Sequence, residues 1–164
     1  MANWRQLLAQ LVIKRNTELF PLLVFQASPP SQRAWSESFP PNQGIGDFFR
    51  ICDGGFISCQ YNWFPIGEIE SATIKWIEHL SDYHGDGRPI LKPSQHFELA
   101  LDASGCPLVW DAHTDSMFTF FFKGGEWEPL HQSFEDFMTH LFTPTKEAKS
   151  DTLWVEALDQ LNSY

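Results

Sequence analysis

Positive charge is scarce in this sequence. Eleven Lys and Arg stand against 21 Asp and Glu, a formal net charge of −10 with neutral His. With so few cations to release counterions from a phosphate backbone, non-specific binding to nucleic acid is not expected. Docking on an anionic membrane surface is not expected either. Cysteine is nearly absent: Cys52, Cys59 and Cys106 form an odd set without C-x-x-C spacing. That argues against a disulfide framework and a structural zinc site, and it fits a reducing compartment. Long apolar runs are also missing, since every uninterrupted stretch falls well short of the ~20 residues that a membrane span requires. The opening MANWRQLLAQLVIKRN has no basic region ahead of its apolar residues and no small-residue cleavage site after them. A cytoplasmic protein is expected.

Aromatic residues, by contrast, are abundant. Seven Trp and 15 Phe fall within 164 residues, and 43% of the chain is hydrophobic, enough to bury one proper core and leave global disorder out of the question. The aromatic excess has two readings. It fills a bulky core, or some of Trp35, Trp63, Trp110, Phe121 and Trp127 form a partner-binding patch with acidic residues at its rim.

Periodicity outlines the elements. Trp4, Leu7, Leu8, Leu11 and Val12 repeat as one helix face, with Asn3 placed to cap it and Gln6 in capping-box position. Pro21 interrupts the next apolar run, so a short helix or an extended piece ends near Gln26, and a Pro-rich loop follows over 28–41. Ile45, Phe48, Phe49 and Cys52 form a second helix face, stopped by Asp53-Gly54-Gly55. Phe56 to Tyr61 reads as a strand, and Ile69, Ala72, Thr73, Trp76, Ile77 and Leu80 mark a third helix. Beyond the polar loop 81–88, Pro89 to Lys92 could form an edge segment.

Phe97, Leu99 and Leu101 alternate with Glu98, Ala100 and Asp102, the period of a half-buried strand. A turn at Ala103-Ser104-Gly105 leads to a second strand, Cys106 to Trp110, and Met117 to Phe122 makes a third. In that third run Phe121 points away from Phe120, either covered by a helix or exposed. A Gly-Gly turn separates it from a helix capped by Ser133, with Asp136 in the acidic position and Phe134, Phe137, Met138, Leu141 and Phe142 on its apolar stripe. The tail carries one more helix, with Leu153, Trp154, Ala157, Leu158 and Leu161 on a face.

Motifs of catalysis are missing. Gly44-Ile45-Gly46 opens no G-x-G-x-x-G, because Phe49 stands at the third glycine and no strand precedes it. His79, Asp82, His84 and Asp86 are the densest set of potential ligands, yet Pro93 falls where a calcium loop needs its bidentate Glu. A zinc or iron site there would need a third ligand such as His96 or His113, and a solvated polar loop is the plainer reading. No G-x-S-x-G elbow is present, and Cys52 reads as a small core residue. Asp111, His113 and Asp115 could form an acid/base trio, although their spacing equally suits a polar hairpin loop. No catalytic residue, metal or cofactor is expected.

Three segments together resemble the SMI1/KNR4 family, also called the SUKH superfamily. Ile45 to Phe56 is similar to its helix followed by a Gly-Gly turn, with Asp53 where the family usually has Asn. Leu99-Ala100-Leu101-Asp102-Ala103-Ser104-Gly105 with Cys106 to Trp110 resembles its second signature, and Ser133-Phe134-Glu135-Asp136-Phe137 its third. Asp53, Gly54, Gly55, Asp102, Gly105, Ser133, Phe134 and Phe137 carry the likeness as turns, caps and core contacts. The resemblance implies a single α+β domain over 1–142, a mostly antiparallel twisted sheet packed against helices; 143–164 is then a C-terminal extension, expected as one helix packed on the domain. It also implies a non-enzymatic role as an immunity protein that binds a protein partner, a basic toxin domain such as a nuclease. The alternatives are a regulatory or scaffold module of the same fold and, from another class, a metal-dependent hydrolase. The open face of the sheet around Trp110, Phe121, Glu126 and Trp127, with the acidic loop Asp111 to Asp115, is the expected partner-binding surface.

Overall fold

The computed structural model describes residues 3–14, 27–30, 40, 42–58, 60–81, 91–121, 126–143 and 152–163. The expected Pro-rich loop, the polar loop after the third helix and Trp35 lie largely or wholly outside them. Five helices and six strands are formed among the described residues: α1 (Trp4–Lys14), α2 (Gln43–Ile51), β1 (Gly55–Phe56), β2 (Tyr61–Trp63), α3 (Ile66–Ser81), β3 (His96–Asp102), β4 (Pro107–Asp111), β5 (Met117–Phe121), β6 (Glu126–His131), α4 (Phe134–Leu141) and α5 (Thr152–Asn162). The strands make one antiparallel sheet in the order of the chain. The protein is therefore an α+β fold built on a twisted open sheet.

Local chemistry accounts for the element ends. At α1 the Asn3 side chain accepts from the Gln6 amide (3.1 Å) while the Gln6 side chain accepts from the Asn3 amide (3.2 Å), so both halves of the capping box are made. Asn42 caps α2 through the Ile45 amide and Ser133 caps α4 through the Asp136 amide. Gly54 and Gly55 both have positive φ. A Cβ on Gly54 would sit 2.6 Å from the Trp63 carbonyl oxygen, so that site needs glycine for space as well as for conformation. Asp53, beside it, accepts a hydrogen bond from the Ile66 amide (2.8 Å) and so caps the start of α3. The β3–β4 turn is tied by Asp102, which accepts from the Ser104 and Cys106 amides around a left-handed Gly105.

Two apolar clusters flank the sheet. The larger gathers Trp4, Leu7, Leu8 and Leu11 of α1, Ile45, Phe48 and Phe49 of α2, Phe134, Phe137 and Met138 of α4, and Trp154, Leu158 and Leu161 of α5 against Trp63, Phe97, Leu108, Trp110 and Met117. The smaller joins Trp76 and Leu80 of α3 to Val109 and Phe120, with Phe118 and Trp127 packed on it. Val109 and Trp110 are neighbours on one strand and face opposite clusters, so helices cover both faces of the sheet.

Four expectations are corrected. Phe56 to Tyr61 is not one strand. Phe56 pairs with Asn62 and Gly55 with Trp63, so this segment is the turn of a short hairpin, a local pairing that a brief apolar run does not reveal. Strand β3 is not half-buried: His96 through Ala100 are all buried, because α3 covers the second face. Strand β6 was not expected, since Glu126, Glu128 and Pro129 weaken its pattern. Proline is nevertheless compatible with the edge position that β6 takes. Leu153 lies outside the buried stripe of α5 and is 48% exposed. Helix α5 itself belongs to the common core: Trp154 Nε1 donates to the Leu141 carbonyl (2.8 Å) and its ring meets Phe142 edge-on.

Candidate functional site

The residues expected to bind a partner are distributed over both faces of the sheet. Trp110 is buried, 1% exposed, and donates from Nε1 to Asp115 Oδ1 (2.9 Å). The same Asp115 oxygen accepts from the Asn42 side chain (2.9 Å), holding the cap residue of α2 and a backbone φ of 61° at Asp115 itself. Asp115 is thus a structural tie. Trp127 is half-buried on the α3 side, packed on Phe118 and Phe120 and edge-on to Trp76. Asp111 accepts from the His113 amide and the Gln95 side chain in the β4–β5 loop. Burial alone would raise the Asp111 pKa, but these donors and nearby His96 bring it below the ordinary value. The trio Asp111, His113 and Asp115 forms a tied hairpin loop rather than a shared site.

Phe121 and Glu126 do come together. They are cross-strand partners at the end of β5 and β6, and Glu128, paired with Thr119, lies on the same face. Phe121 is 41% exposed, and Glu126 and Glu128 are exposed. Among the described residues no strand pairs with the outer edge of β6.

A cleft on the flank of α3 is not signalled by any motif. Glu68, Ser71, Ala72, Lys75, Trp76 and His79 follow one another at helical spacing along a flank of α3. With Phe64 and Glu98 they line an open cleft of about 630 Å³. Glu98 rises from β3 at an irregularity in its pairing with β4, where the register shifts between Glu98 and Ala100. Its amide donates to Thr73 Oγ1 (2.9 Å), a buried bond that ties α3 to β3. Glu98 is 5% exposed, and among the described residues its carboxyl has no ion pair or hydrogen bond. Burial alone pushes its pKa up to about 8. In the sequence Glu98 looked like the solvent side of an alternating strand; only the helix laid over that side makes it unusual.

Nothing among the described residues assembles three or more His, Cys, Asp or Glu side chains as a metal-binding group. Asp82, His84 and Asp86 lie outside those residues, and His79 sits on the exposed flank of α3. His96 accepts from the Lys92 amide through Nδ1, and burial lowers its pKa. The Cys52 thiol is pushed up to about 12 by burial, which keeps it protonated and unreactive. No described helix is long and apolar enough to cross a membrane.

No family model, curated protein or solved structure matches this chain.

Proposed function

We propose that this protein is a non-enzymatic binding module of the immunity type, which captures a basic toxin domain through the Phe121–Glu126–Glu128 corner of its sheet. The observation that carries this is an exposed aromatic ring whose cross-strand neighbour is an exposed carboxylate, with a second carboxylate on the same face of β6, a strand whose outer edge is unpaired among the described residues. An aromatic anchor with a charged rim is the arrangement in which protein interfaces concentrate their energy. The net charge of −10 would steer a basic partner toward the chain and disfavour acidic ones. The resemblance of the Ile45, Leu99 and Ser133 segments to SMI1/KNR4 proteins supports the same choice of partner.

Co-expression with a toxin domain encoded beside this chain should rescue growth through a stoichiometric complex. A Phe121→Asp, Glu126→Lys double variant that keeps its fold should lose at least about tenfold in affinity, the effect of ~1.4 kcal/mol at an interface anchor. No rescue by the parent, or full rescue by the double variant, would overturn the assignment. A pull-down recovering housekeeping signalling proteins in place of a toxin would move the protein to the regulatory class.

A further inference from the structure

We propose that the cleft between α3 and β3 is a receptor site for a small organic cation, an alkylammonium or guanidinium group held by the Glu98 carboxylate. Three observations converge on it. Glu98 is almost wholly buried and its carboxyl has no partner among the described residues, yet it forms part of the wall of an open cleft. A carboxylate withdrawn from water without a counter-charge gains more from an arriving cation than an exposed one does. Phe64 and Trp76 line the same cleft, and aromatic walls beside a carboxylate suit organic cations through their ring faces. The volume of about 630 Å³ lies within the range of small-molecule sites and far exceeds a guanidinium group.

The charged and titratable groups that share the cleft are Glu68, Lys75 and His79, all from α3. Glu68 and Lys75 are exposed and carry opposite charges, and neither forms an ion pair with Glu98 among the described residues. Val109, its partner on β4, and Phe64, which follows β2, add no charge. A metal ion is the poorer occupant, since no group of three ligating side chains forms among the described residues. The cation's source is free amine or the side chain of a basic protein. Both present the same chemistry to Glu98.

Binding should follow ionisation of Glu98. Because its carboxyl titrates near 8, the affinity for a permanently charged cation should rise roughly fiftyfold between about pH 6 and pH 8, with one proton released per cation bound in the lower part of that range. Calorimetric titration of the full chain with methylguanidinium and with butylammonium, against sodium chloride at equal ionic strength, reads this directly. Saturable binding with that pH slope is expected, lost in Glu98→Gln. It should also weaken in Ala72→Met, which narrows the cleft wall beside Trp76 and leaves the carboxyl in place. An arginine-containing peptide that binds at least tenfold more tightly than methylguanidinium would identify a protein side chain as the source, and equal affinities a free amine. No saturable binding at millimolar cation, or binding that persists in both folded variants, overturns the proposal. No toxin partner is present in these titrations, so their failure leaves the Phe121 corner untouched. Loss of rescue through that corner likewise says nothing about Glu98.

Discussion

At the scale of single residues, Glu98 and Gly54 show two ways in which the fold constrains a side chain. For Glu98 the folded pKa of about 8 stands above the ordinary glutamate value of 4.5, so the folded form resists ionisation while the unfolded chain ionises freely. The stability associated with the neutral carboxyl is complete below the unfolded value and is lost as pH rises through the folded one. Glu98→Gln should therefore melt with the parent near pH 4 and exceed it by ~5 °C above pH 8; thermal melts across that range check the prediction. Equal melting at both ends would mean that water reaches the carboxyl. Gly54 is constrained by shape, since its positive φ and the two carbonyls within 2.7 Å of a would-be Cβ leave no room for any side chain. The Asp53-Gly54-Gly55 turn was legible in the sequence because glycine itself carries the signal. Glu98 was not, because a lone acid in an alternating strand looks like a solvated one.

Among the elements, α3 and β3 are coupled by more than apolar contact. The shift in pairing between β3 and β4 accompanies a Glu98 amide that bonds to Thr73 Oγ1 in place of a ladder partner. Thr73→Val keeps the shape and removes that acceptor. It should destabilise the protein by about 1–3 kcal/mol, the effect of stranding a buried donor, as read from urea unfolding midpoints. On the other face, Arg5 of α1 bonds to Asp47 of α2 (2.7 Å) and to Glu135 of α4 (2.8 and 2.9 Å), binding three helices at one point. The helices were legible because each has a period of 3.6, and two also carry a cap that the sequence signals: Asn3 with Gln6 at α1, Ser133 at α4. The short β1–β2 hairpin and the proline-bearing edge strand β6 were not, because two- and three-residue strands and edge strands carry little period of their own.

At the scale of the whole molecule, α5 packs on the rest of the chain and contributes to the larger cluster. Trp154, Ala157, Leu158 and Leu161 share the core with α1 and α4, and Trp154 also hydrogen-bonds the end of α4. Trp154→Ala should lower stability by about 3–5 kcal/mol, as emptying a large buried site does. A chain ending at residue 143 should lose cooperative unfolding by circular dichroism. A truncated chain that melts cooperatively near the parent would make 1–142 self-sufficient.

The sequence by itself determined the helix faces, the caps at Asn3 and Ser133, the turn chemistry at Asp53-Gly54-Gly55 and Asp102-Gly105, and the excess of negative charge. These follow from local periods, from backbone conformations open mainly to glycine, and from composition. Only the tertiary structure decided which side chains meet. It placed Trp110 in the core, set Trp127 on the face opposite Phe121, brought Phe121 beside Glu126, and laid α3 over Glu98. Each depends on strand register or on which helix covers which face, and no short window of sequence encodes either.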